Sequence, residues 1–199
     1  MAAWRKIVRI PARILFLCAG AVACLHGSPA LAWITITPAQ GEVILCITDI
    51  GDCSSGPGTR TPTVTFTVTA AQLGNGIAIA GDTTVDIEMA VRSTTGGGPP
   101  PHITATLYAT APATVDSGSN QIPISDISWT ATLAGAPGGT TPIAPGAFVA
   151  GQKPIVTITT SGGGFFYAGG TLTFYFANTK VYAQGTYGPA TVNYTVSQQ

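Results

Sequence analysis

Cys46 and Cys53 are the residues whose type and spacing come closest to chemistry in this chain of 199 residues. Between them lies Ile47-Thr48-Asp49-Ile50-Gly51-Asp52, a short loop with a glycine for turning. In an oxidising compartment two thiols so placed form a disulfide. A bridge over so few residues constrains the unfolded chain only modestly, so its work is to pin one hairpin or loop. The spacing is wider than the C-x-x-C of a redox site, and it is no zinc pattern without further ligands. Asp49 and Asp52, with Glu42, offer oxygens that a hard cation such as Ca²⁺ would take, but the reading adopted is that the chain uses no cofactor.

Catalysis finds little to work with. Nucleophilic chemistry needs a Ser, Cys or Thr beside a base, and past the first 32 residues the one histidine is His102, which follows Pro99-Pro100-Pro101 at the start of a predicted strand. No Gly-x-Ser-x-Gly turn is present. Asp86 and Glu88 stand two residues apart on one strand face and could approach each other as a glycosidase pair does, yet simple alternation already places both in water. The glycine triplets are not followed by Lys-Ser/Thr or by a helix start, so they are turns and not phosphate cradles. Asn193-Tyr194-Thr195 matches a glycosylation sequon inside a predicted strand and reads as chance. The chain is expected not to be an enzyme.

The N-terminus says where this chemistry-poor chain works. Basic residues Arg5, Lys6, Arg9 and Arg13 precede an apolar stretch from Ile14 to Leu25, and Ala30-Leu31-Ala32 supplies a small-residue cleavage site. That order is a secretory signal, residues 1–32, and the apolar stretch falls short of the roughly 20 residues that span a bilayer. Ala21-Val22-Ala23-Cys24 offers a second processing route, a loose lipoprotein box that would leave Cys24 acylated. Cleavage after Ala32 removes Cys18 and Cys24 and leaves residues 33–199 as one domain outside the cytoplasm, in the periplasm, on the cell surface or secreted. That domain keeps four basic residues, Arg60, Arg92, Lys153 and Lys180, against eight acids, a balance of −4. Nucleic acid and anionic lipid, both held through clustered Lys and Arg, are therefore not expected partners.

Elements that could position any site are strands. Strict alternation puts Val85, Ile87, Met89 and Val91 on one face of Thr84 to Arg92, with Asp86, Glu88 and Arg92 opposite. Thr63 to Thr69 repeats it, with Val64, Phe66 and Val68 inward and four threonines outward, where β-branching suits the pleat. Trp33 to Thr37, Val43 to Ile47, His102 to Ala109, Asp126 to Leu133, Pro154 to Thr160, Thr171 to Phe176 and Thr191 to Val196 bring the total to about nine. In Asp126 to Leu133 the pattern aligns Ile127, Trp129, Ala131 and Leu133. Gly- and Pro-rich turns join them. Many short strands with such turns predict an all-β fold, an immunoglobulin-like or jelly-roll β-sandwich, with a closed barrel as the alternative. Phe174 and Phe176 belong to the core by alternation, while Tyr175 and Phe165-Phe166-Tyr167 are candidates for a contact surface.

Gly185-Thr186-Tyr187 followed by Thr191-Val192-Asn193-Tyr194-Thr195-Val196 resembles the closing pattern of bacterial surface β-sandwiches, fimbrial subunits and pilin-like adhesins among them. The resemblance covers about twelve residues. It implies a structural or interaction protein, whose partners would be other copies of itself or related surface subunits. The matching residue-level feature is Trp33-Ile34-Thr35-Ile36-Thr37, an alternating segment directly after the cleavage site that can add to a neighbour's sheet as an extra strand. The simpler alternative makes it this domain's own first strand. A carbohydrate- or calcium-binding module is the competing class of function.

Overall fold

The structure, a computed structural model, describes residues 34–36, 41–49, 61–93, 102–133 and 139–199. The leader, Cys53 and Asp52 lie outside the described residues, as do Trp33 and Thr37. Alternating, β-branched sequence yields twelve strands among the described residues. They are β1 (Ile34–Ile36), β2 (Gly41–Thr48), β3 (Ile79–Ser93), β4 (Thr104–Ala111), β5 (Thr114–Ser117), β6 (Asn120–Pro123), β7 (Ile127–Thr132), β8 (Thr141–Pro142), β9 (Gly146–Ala147), β10 (Gly151–Thr159), β11 (Gly164–Phe176) and β12 (Asn193–Gln198). The seven-stranded sheet runs β1-β2-β3-β11-β7-β9, with the short β8 parallel to β11. The three-stranded sheet runs β10-β4-β12, and β5 and β6 form a separate hairpin.

The period of two decides what these sheets bury. β4 alternates without exception, with Ala105, Leu107, Ala109 and Ala111 buried and Thr104, Thr106, Tyr108 and Thr110 half-buried. From the larger sheet, Val43, Leu45, Val85, Ile87, Met89, Val91, Leu172 and Phe174 join them in one cluster. The two sheets thus face each other across a shared core, the all-β sandwich that the alternation predicts. Each large side chain buried this way contributes about 2 kcal/mol. On the outer face of the smaller sheet threonine hydroxyls pair across strands, Thr104 with Thr159 at 3.1 Å and Thr106 with Thr157 at 2.9 Å.

Three elements differ from expectation. Thr63 to Thr69 is extended and alternates in burial, but it belongs to no sheet ladder. β11 begins at Gly164 and not at Thr171, because its first half, through Gly169-Gly170, pairs with β3; glycines hid that half from a propensity reading. Leu133, aligned with the core by alternation, is 44% exposed just past the end of β7. Two features of β10 and β7 have local causes. Pro154 has no N–H for the ladder, and the β10–β4 register shifts beside it, between Pro154 and Val156. A single 3-10 turn, Ile124–Asp126, leads from β6 into β7.

Candidate functional site

Among the described residues β1 lies at one edge of the seven-stranded sheet and pairs with β2 alone. Its register, Ile34 to Leu45, Thr35 to Ile44 and Ile36 to Val43, sets Ile34 and Ile36 opposite two core residues. Within one chain the segment therefore serves as the domain's own first strand, the simpler of the two sequence readings. Among the described residues its ladder has three positions.

The next strand position, beside β3, is filled in two pieces. β2 pairs with Asp86 to Ser93 and leaves the start of β3 uncovered. There the extended segment Thr61 to Thr69 comes alongside, tied by Asp82 at both ends of one peptide pair. The Asp82 N–H donates to the Thr65 carbonyl at 3.0 Å, and the Thr65 N–H donates to the Asp82 carboxylate at 2.7 Å. Asp82 can do this because β3 bulges there: Thr84 pairs with Thr173 and Ala80 with Tyr175, so extra residues sit on β3. Val64 and Phe66 cover Gly81, whose missing Cβ leaves space that Val64 fills, and Phe66 meets Phe176 at 6.5 Å between ring centres. Threonines 63, 65, 67 and 69 face water as alternation predicts. Sequence reasoning found this segment's faces and missed its lack of a ladder, since a carboxylate replacing a backbone partner leaves no periodic signal.

Among the described residues β10 and β12 are the two edges of the smaller sheet, and β12 pairs with β4 through Asn193 to Gln198. Tyr194 opposes Ala109 on the core side, and burial pushes its hydroxyl pKa up. In the chain leading to β12, the Tyr182 hydroxyl donates to the Asp126 carboxylate. Burial first, and then that acceptor, push the Tyr182 pKa up to about 12.

The remaining sequence candidates are dispersed. Cys46 is buried in β2, next to Leu45, while Cys53 lies outside the described residues. The Glu42 side chain and Asp52 do as well, and among the described residues no group of three or more His, Cys, Asp or Glu is placed to hold a metal. His102 points one ring nitrogen, Nδ1, at the Thr160 carbonyl, 2.9 Å away. A carbonyl only accepts, so Nδ1 carries the proton and the ring clamps β4 to the end of β10. Asp86 and Glu88 are half-buried on the face of β3 turned from the core. Phe165 and Tyr167 stack on that same face at 6.1 Å, with the Arg92 guanidinium 5.2 Å from the Phe165 ring centre. Phe165 is half-exposed, whereas Phe166 packs against the core. Among the described residues no helix is long and apolar enough to cross a membrane. The chain matches no protein-family model, no curated protein and no solved structure.

Proposed function

We propose that the mature chain is a structural subunit of an extracytoplasmic assembly, a fimbrial or adhesin-like surface protein whose copies join by exchanging the N-terminal strand. The observation that carries this reading is β1, a three-residue strand at a sheet edge that faces its partner at Val43 and Leu45. A backbone hydrogen bond contributes on the order of 1 kcal/mol net, so releasing so short a strand costs far less than unfolding the domain. A neighbour's identical segment restores every pair that is lost. Exchange that runs head to tail without closing builds a fibre. The secretion leader, the sparsely charged threonine-rich surface and the closing pattern at Gly185 to Val196 support the same reading. A Cys46–Cys53 disulfide would stiffen the strand that receives β1.

The test compares the mature chain from Trp33 with a chain lacking Trp33 to Thr37. Size-exclusion chromatography with light scattering is expected to show polymers for the first and a folded monomer, with unchanged circular dichroism, for the second. Equal sizes for the two, at matched concentration, would sink the reading.

A further inference from the structure

An open cleft of about 610 Å³ lies where the end of β4, the outer side of β5 and the approach to β12 meet. Two short walls build it. Thr110 and Asn193 are directly paired across β4 and β12, so their side chains emerge on one face, away from the buried Ala109 and Ala111. On β5, Val115 packs against the core, which turns Thr114 and Asp116 the other way, into the cleft. The segment between the walls, Gly188 to Thr191, is anchored by the Gly188 N–H donating to the Asp116 carbonyl at 2.9 Å. Gly188 has φ +92, and a Cβ there would press on Val115 at 3.2 Å, so a glycine keeps this floor close to β5.

The size suits a small ligand, but small-molecule sites are mostly apolar and this lining is not. Its polar groups are one carboxylate, one amide and the hydroxyls of Thr110, Thr114 and Thr191, with no Lys, Arg or His among them. A carboxylate accepts two hydrogen bonds at the spacing of a vicinal diol, an amide both donates and accepts, and a hydroxyl does either. Pro112 and Pro189 add flat C–H surface without a donor. With no cation in the lining and an excess of acids on the mature chain, phosphorylated and carboxylated ligands are disfavoured. We infer that this cleft is a binding site for a neutral sugar, with Asp116 and Asn193 taking its ring hydroxyls. It uses neither β1 nor the edge of β2, so it stands or falls apart from strand exchange.

The experiment titrates the mature chain with methyl α-mannopyranoside, methyl β-glucopyranoside, methyl β-galactopyranoside and, separately, phosphorylated glucose, following backbone amides by NMR. The expected result is saturable shifts centred on Thr110, Asp116, Gly188 and Asn193 with at least one neutral sugar and none with the phosphorylated one. Asp116→Asn is expected to weaken binding roughly tenfold, the loss of a charge-assisted acceptor. Asn193→Ala, on an exposed side chain, repeats the measurement should the first variant fold poorly. Absence of saturable shifts with all three neutral sugars, unchanged affinity in a folded variant, or equal binding of phosphorylated glucose would each overturn the assignment.

Discussion

Asn178 is the polar residue on which most depends. It is 1% exposed and has φ +49, a left-handed conformation that asparagine tolerates better than most residues. Its amide nitrogen donates to the Gln72 carbonyl at 2.7 Å, to Asn75 Oδ1 at 3.1 Å and to the Ile77 carbonyl at 3.2 Å. Its Oδ1 accepts from the Gly74 N–H at 3.1 Å. One side chain thus holds the turn between the extended segment and β3, the turn that displays Leu73 and Ile77 to solvent. Asn178→Ala leaves these groups without partners and is expected to destabilise by about 3 kcal/mol in chemical denaturation. Asn178→Asp should be worse, because a carboxylate would face three oxygens. Gly146 is the second such residue: a Cβ there would sit 2.7 Å from Trp129 Cζ2. Trp129 cannot retreat, since its Nε1 donates to the Ala144 carbonyl at 3.0 Å and its ring meets Phe148 at 5.0 Å. Gly146→Ala is therefore expected to lower stability by roughly 1–3 kcal/mol, read from the midpoint of thermal or denaturant unfolding. Neither role is legible in sequence. Phe-Ala-Asn-Thr at the end of a strand and Pro-Gly-Ala in a loop are common, and both residues act on neighbours far along the chain or folded over them.

At the scale of elements, the segment Thr61 to Thr69 is a strand by pattern and a strap by hydrogen bonding. Its inner residues Val64 and Phe66 pack on the core, one residue of β3, Asp82, bonds its backbone at Thr65, and Gln72 bonds it at Thr69. Asp82→Ala is expected to leave the sandwich folded, at a cost of about 1 kcal/mol, while amide exchange across residues 61–69 accelerates. Exchange in that segment unchanged from the parent protein would show that apolar packing alone holds it. The period of two was readable here because it depends only on which face is buried. Ladder membership was not, because it depends on a bulge in another strand. The same distinction explains β11, whose core half, Leu172 to Phe176, is plain in sequence and whose glycine-rich half is recognised only by its partners, β3 and β8.

For the whole molecule, two tyrosines link ionisation to folding. Tyr182 ionises at about 12 in the folded chain against 10.0 for the free side chain, and burial moves Tyr194 in the same direction. A raised pKa means that the native state binds the proton more tightly than the unfolded state. Their contribution is complete below pH 10 and is lost as pH rises toward about 12 and beyond. Denaturation at stepped alkaline pH is expected to show stability falling through this window, with a smaller slope for Tyr182→Phe. An equal slope in the variant would assign the loss to other groups.

Charge balance and fold class are legible in the sequence alone, because each rests on local order along the chain, and the same kind of order carries the expectation of an exported domain. A basic, apolar and small-residue leader is read in sequence order; charge is a count; alternation reports a buried face wherever strands pair. That reading also gave Trp33 to Thr37 as a strand, either added to a neighbour or the domain's own first, and divided the aromatics of β11 between core and surface. Folding decided what depends on residues distant in sequence: that β1 meets β2 at Val43 and Leu45, that Asp82 takes the place of a ladder, that Asn178 closes a turn a hundred residues away. The cleft between β4, β5 and β12 belongs to this second group. Thr110, Asp116, Gly188 and Asn193 share no motif, and they become neighbours only because β12 returns to pair with β4.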